Sequence, residues 1–264
     1  LVYGSIIFLL YFVLLLLAKH VENKESITSI IREFAIENSE KRIIEEEVFL
    51  IRAYNEASVI SDVLKSIIKA GYKNILVVND STDKTKEIVQ NFDNIILLNH
   101  FRNRAAALET GFEYIRRYGK IKYIITFDAD QHNVADTNKF VHKFEQNPDL
   151  VVFGSRFIEN TAKNIPLTRK IILFLGRIFT YLVSVFLTDT HNFRVFTLES
   201  VQKIKLTIDS MAYASELIEE IKKNNISFDE VPVTIIYTNY SLSKQSSSNA
   251  IFIALRFIWN KFMK

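Results

Sequence analysis

Residues 123–132 read YIITFDADQH. A run of apolar and β-branched positions stops at two carboxylates, Asp128 and Asp130, with one alanine between them and Gln131 and His132 behind. A short apolar run bounded in this way suits a buried strand. A strand ending in acids is either one that finishes in a polar turn or one that presents a metal site to a charged substrate. The neighbouring rhythm bears on the choice. VFLIRAY (48–54), NILVVND (74–80), NIILLNH (94–100) and LVVFGSRF (150–157) are runs of the same kind, and helical spacing fills about 57–70, 82–91, 104–118 and 136–147. Strands alternating with helices predict an α/β fold with a mostly parallel sheet flanked by helices.

In such sheets ligands bind at the carboxyl ends of the strands. Here those ends carry Asn55 and Glu56, Asn79 and Asp80, His100, Asp128 and Asp130, and Arg156. Any one of them could cap a helix; as a set they favour a site. Asp128 and Asp130, at i and i+2 on a strand, project to the same side. Two carboxylates so placed repel unless a cation lies between them or one is protonated. Oxygen ligands suit Mg²⁺ or Mn²⁺, and Mg²⁺ commonly binds through one or two carboxylates plus substrate phosphates. A diphosphate carrying its own ion is therefore the expected ligand. An aspartyl-phosphate phosphatase would want D-x-D-x-T, a dinucleotide enzyme G-x-G-x-x-G after the first strand, and a P-loop G-x-x-x-x-G-K-[ST]; none is present.

The 264 residues allow one large domain or two small ones, and 48% hydrophobic with 24% charged residues exclude both a disordered chain and a polytopic membrane protein. A net charge of +3 is too small to imply nucleic-acid binding, and zero cysteines remove disulfides, thiolate metal sites and a cysteine nucleophile. Residues 1–18 carry no charge. As a helix they reach about 27 Å, close to a hydrocarbon core of roughly 30 Å. Residues 1–20 are expected to be a membrane anchor, since the basic start and small-residue cleavage site of a signal sequence are not visible; a buried helix is the other reading. Lys19 and His20 after the span point to a cytoplasmic location for the rest of the chain. Residues 21–47 read as a short amphipathic helix and connector, 48–245 as the α/β domain, and 246–264 as a basic amphipathic helix suited to a membrane surface or to packing on the domain. Residues 165–187 are apolar but carry Arg169, Lys170 and Arg177, which favours a surface or core helix over a second span, and 230–240 reads as a late strand.

The pieces AYNEASVI, VVNDSTDKT, AAALETGF, FDADQH, VVFGSRF, DTHNFRVF and YTNYSLSKQSSSNAI occur in this order. In that order the chain resembles the family 2 glycosyltransferases of GT-A (Rossmann-like) fold, most of all the polyprenyl-phosphate sugar transferase branch. The resemblance implies an inverting transfer from a UDP- or GDP-sugar to a polyprenyl phosphate or glycan acceptor at the membrane, with Mg²⁺ or Mn²⁺ as cofactor. It implies nucleotide-sugar binding by Tyr54, Glu56, Asp80, Asp128, Arg156 and Lys244, with Glu56 and Asp80 at the base and ribose and Lys244 on a loop that closes over the site. Asp128, Asp130 and Gln131 would hold the ion. Arg156 and Arg194 would neutralise phosphates, and Asp189 would stand near the acceptor, as general base if that acceptor is a hydroxyl. Relatives read DDGSTD, GxGAAL, DADGQH, NGFR and SKGQS where this chain reads NDSTD, RAAAL, DADQH, NFR and SKQS, each without a glycine. Glycine supplies positive φ and close backbone approach, so reshaped loops are expected at all five turns. A catalytically silent, membrane-bound binding or scaffold protein is the alternative these losses raise; keeping Asp128, Asp130, Arg156 and Arg194 together favours the enzyme.

Overall fold

A computed structural model describes residues 2–101, 106–129, 133–156, 158, 174, 192–207 and 213–234. Helix α1 (Val2–Glu37) leads into β1 (Ile44–Ala53), followed by α2 (Ile60–Lys69), β2 (Ile75–Asn79), α3 (Thr85–Gln90), β3 (Ile95–Asn99), α4 (Ala106–Tyr118), β4 (Gly119–Asp128), α5 (Thr137–Gln146) and β5 (Val151–Ser155). After the undescribed stretch come β6 (Arg194–Thr197), α6 (Leu198–Lys203), α7 (Tyr213–Lys223) and β7 (Phe228–Pro232). The sheet order is β3-β2-β1-β4-β6-β5-β7. Strand β6 runs antiparallel to both neighbours, while every other pairing is parallel.

Alternation along the strands divides the core in two. On β1, Val48 and Leu50 face one layer with Leu76, Val78, Phe112 and Phe196, whereas Phe49, Ile51 and Ala53 face the other with Ile60, Leu64 and Ile67 of α2. The α2 residues recur at helical spacing, so a single stripe meets the sheet. Helix α4 lies so close to β1 that a Cβ on Gly111 would come within 2.3 Å of Leu50 Cδ1. A larger residue there would have to displace the Leu50 side chain or the helix.

The expected elements from 48 to 157 are present, with some boundaries moved. Residues 21–37 do not form a separate helix: α1 is one helix of 36 residues. Nothing from Ser5 to Glu37 is a glycine or proline, so the backbone has no reason to break. Strand β1 starts at Ile44, four residues before the apolar run, because Ile44 is buried while Glu45 and Glu46 point outward. Strand β7 starts at Phe228, and the remainder of the expected late strand lies outside the described residues. So do almost all of the apolar segment 165–187 and all of the C-terminal helix.

The carboxyl half of α1 and the segment after it are held against α4. Arg117, near the end of α4, donates to both Glu33 carboxylate oxygens at 2.8 and 2.7 Å. Tyr114 donates to the Glu40 carbonyl at 2.7 Å. Further back along α1, Ser29 and Arg32 share a polar cavity with Glu109 and Glu113 from the first half of α4. The apolar half of α1, from Tyr3 to Leu16, is exposed. This helix is long and apolar enough to cross a membrane, with mean hydropathy 2.1.

Candidate active site

The sheet reverses its winding between β1 and β4: β2 and β3 extend to one side, β4 to the other. A crevice outside the carboxyl ends is expected at such a switch point. Arg52, one residue before the end of β1, is the register partner of Asp128, the last residue of β4. Its Nη2 donates to Asp128 Oδ1 at 2.8 Å, and Asn192, just ahead of β6, donates from Nδ2 to Oδ2 at 2.6 Å. The Asn192 side-chain oxygen accepts from the Tyr213 hydroxyl, and the Arg52 guanidinium stands 4.8 Å from the centre of the Tyr213 ring. Burial alone would lower the Arg52 pKa, yet Tyr213 and the Asp128 carboxylate hold it above its ordinary value. Burial also pushes the Tyr213 phenol up, with Arg52 opposing.

The turns beside this ring are closed by side chains. Asn55, at φ 53°, follows β1 in the left-handed region that asparagine tolerates. Its amide donates to Ser81 Oγ at 2.8 Å, and its side-chain oxygen accepts from the Thr82 amide at 2.8 Å. The Glu56 amide donates to Thr85 Oγ1 at 2.8 Å, and the Asp80 amide to the Ala53 carbonyl at 3.0 Å. No residue from Asp80 to Thr85 adopts positive φ. The turn NDSTD thus closes without glycine, using Ser81, Thr82 and Asn55 in its place.

The expected site residues fall into three groups. Tyr54, Glu56, Asp80, Asp128 and Arg156 all lie at or just beyond the carboxyl edge; Glu56 and Arg156 are buried, Tyr54 and Asp80 partly so. Arg194 comes to the same edge because β6 is antiparallel, but it is fully buried, its guanidinium 5.1 Å from the Phe153 ring. Asp130, Gln131, Asp189 and Lys244 lie outside the described residues. Among the described residues, no three acid or imidazole side chains converge. Asp128 nevertheless suits a hard divalent ion: it is a hard oxygen ligand whose side chain is 27% exposed.

Sequence reasoning missed Arg52, Asn192 and Tyr213. Arg52 had a signal, as the lone charge in the apolar run 48–54. Asn192 and Tyr213 had none, because their partners are distant in sequence and lie on other elements.

An acid-bearing carboxyl edge on a mixed sheet of this order defines a GT-A type α/β protein. Among solved structures, glucosyl-3-phosphoglycerate synthase from Mycobacterium tuberculosis, crystallised with Mn²⁺ and UDP-glucose, has the same fold at TM-score 0.60 and 12% identity, over 86% of this chain and 79% of that one. Residues 49–204 match glycosyl transferase family 2. The chain is 40% identical over 212 residues to an uncharacterized protein of Methanocaldococcus jannaschii, covering 76% of this chain and 86% of that one. It is 30% identical over 221 residues to the UDP-N-acetylglucosamine–dolichyl-phosphate N-acetylglucosaminyltransferase of Methanococcus voltae, covering 74% and 87%. The polyprenol monophosphomannose synthase of Mycolicibacterium smegmatis is 28% identical over 151 residues, 54% of this chain and 56% of that one. The chain belongs to glycosyl transferase family 2 and is a glycosyltransferase.

Proposed function

We propose that this glycosyltransferase moves a sugar, with inversion, from a UDP- or GDP-sugar to a polyprenyl phosphate at the cytoplasmic membrane face. The exposed apolar half of α1 carries the reading: it is long and apolar enough to cross a membrane, and none of that span is buried against the described domain. With α1 in a bilayer, the domain is held at the lipid surface, where a polyprenyl phosphate presents its head group. Two relatives named for dolichyl-phosphate and polyprenol substrates support the same acceptor class.

The acceptor phosphate oxygen is already anionic, so it attacks the anomeric carbon without a base. The bond from that carbon to the donor phosphate breaks, and a nucleoside diphosphate leaves. Arg156 and Arg194, at the edge, offset its charge. Tyr54, Glu56 and Asp80, at the ends of β1 and β2, hold the nucleoside; Lys244 closes over the diphosphate. Asp128, Asp130 and Gln131 would hold Mg²⁺ or Mn²⁺, which supplies charge stabilisation on the leaving diphosphate. A glycan hydroxyl would instead need a base, for which Asp189 is the candidate. The test is nucleotide release from UDP- and GDP-sugars by the full chain with Mn²⁺ or Mg²⁺. Release that requires polyprenyl phosphate is expected; release driven equally by soluble glycans would overturn the lipid acceptor.

A further inference from the structure

The carboxyl half of α1 keeps large apolar side chains in the open. Ile27, Ile30 and Phe34 are 56%, 68% and 58% exposed, and no described residue covers them. Packing on the domain does not use them: Thr28, Ala35 and Ile36 are the positions buried there, on a separate face of the helix. The exposed three follow a 3-4 spacing, and Asn23 and His20, both exposed, extend the same alternation backwards. So do Leu16, Val13, Leu9 and Ile6 in the apolar half, all of them exposed. An unbroken 3-4 alternation of this length is the a/d seam of a coiled coil, narrower than the stripe with which a helix packs on a globular core. We infer that α1 pairs along this seam, in parallel, with α1 of a second copy of the chain, so that the protein is a dimer joined through its anchor helix.

The seam runs from the water-side half into the apolar half, and whatever covers it must do the same. A second α1 fits, because a bilayer sets both copies at one depth and in one direction. The membrane surface does not fit: with no glycine or proline from Ser5 to Glu37 the helix continues straight, which carries Phe34 roughly 27 Å beyond Leu16. Each apolar seam residue covers roughly 100 Å² when buried in a pair. Over both copies the contact then reaches on the order of 1,400 Å², within the range of specific interfaces. Lipid is as apolar as the side chains it touches, so the apolar half adds close packing while Ile27, Ile30 and Phe34 add the hydrophobic gain. Asn23 falls at a d position, where a polar residue fixes register at a cost in stability. Glu22 and Glu25 fall at c and f, away from the seam. Charges flanking the seam are compensated within each copy: Lys19 pairs with Glu22 at 2.9 Å, and Glu33 with Arg117 at 2.7 Å. The pairing rests on α1 standing in a bilayer, part of the reading above, and not on the donor, acceptor or ion proposed there.

The chain has no cysteine, so single introduced cysteines report the seam directly. The full chain is reconstituted in phosphatidylcholine vesicles, diluted in excess lipid, oxidised with copper–phenanthroline and run on a non-reducing gel. In a two-stranded parallel coil the facing a and d positions bring their Cα atoms within disulfide reach, whereas c and f positions do not. Ile27→Cys and Ile30→Cys should therefore give a species of twice the monomer mass on the order of tenfold faster than Glu22→Cys and Glu25→Cys, since pairing raises the effective thiol concentration only at the seam. Ile30→Glu, placed in the Ile27→Cys background, should remove most of that crosslink while circular dichroism stays unchanged, because Ile30 is exposed within one copy. Equal rates at seam and outer positions would mean collision and overturn the pairing. Seam cysteines that do not crosslink overturn it too, whether they resist an aqueous maleimide, which means cover by the same chain or by lipid, or react with it freely. A chain that alkaline carbonate strips from the vesicles would remove the membrane reading and the pairing together; retention in the vesicles without seam crosslinks would remove only the pairing.

Discussion

Two charged clusters in this molecule are built to opposite ends. At the carboxyl edge, Arg52 meets one acid among the described residues, Asp128, whose side chain stays 27% exposed. Behind the sheet, Arg116 of α4 is saturated: it binds Glu109 at 2.8 Å, Glu113 at 3.0 Å, and the carbonyls of Val201 and Ile204 at 3.0 and 2.6 Å. Glu109 in turn accepts from the Leu206 amide at 2.9 Å, and its side chain is 3% exposed. The rear cluster ties α4 to α6 and the segment after it and buries Glu109, although Glu113 stays 27% exposed. The edge cluster leaves its acid accessible. Position separates the two more than exposure does: only the edge acid stands at the carboxyl end of a strand, at the switch point of the sheet.

That contrast can be broken by substitution. The largest effect is expected in the D-x-D pair: Asp130→Ala should abolish metal-dependent nucleotide release while the thermal midpoint stays within about a degree or two, an order-of-magnitude expectation for a substitution that removes no apolar side chain. Undiminished turnover would overturn the role proposed for Asp130. Next, Arg116→Met should show the reverse pattern. Leaving Glu109 buried without its cation costs about 3 kcal/mol, read as a lowered urea midpoint, with turnover per folded molecule unchanged. Activity that falls while stability holds would make the rear cluster part of the site after all.

The smallest effect concerns the amino half of β4, far from Asp128. Burial, with help from Glu47, pushes the Tyr123 phenol up to about 12 from 10.0. The folded state thus resists ionisation that the unfolded chain accepts at 10.0, so stability is full below pH 10 and falls as pH rises toward 12. Tyr123→Phe should flatten that alkaline decline in chemical unfolding experiments without altering stability at pH 7 by more than about 0.5 kcal/mol. An unchanged slope would assign the decline to other groups.

Much of the fold was legible because it rests on local periodicity. The five apolar runs from 48 to 157 are strands, and the helical patterns between them are helices. Strand β6 was not legible as a strand: Arg194–Thr197 is only four residues long, and its first is an arginine. Burial of that arginine depends on the ring of Phe153, a register partner from β5. The expected cost of the lost glycines was readable only in part. At NDSTD, an asparagine of β1's exit loop supplies the hydrogen bonds that hold the turn, a partner 27 residues away.

The sequence by itself determined the strand–helix alternation, the acids at the strand ends, the apolar N-terminal helix and the family. Each is a property of neighbours along the chain, carried by a period of 2 or 3.6 or by a short motif. Only the tertiary structure decided that Arg52 faces Asp128 across the β1–β4 register, that Asn192 and Tyr213 close the ring, and that α1 is tied to α4 through Glu33 and Arg117. Those are contacts between residues 21 to 84 positions apart. Strand order and helix packing bring them together, and no local pattern encodes which strand a given strand will lie beside.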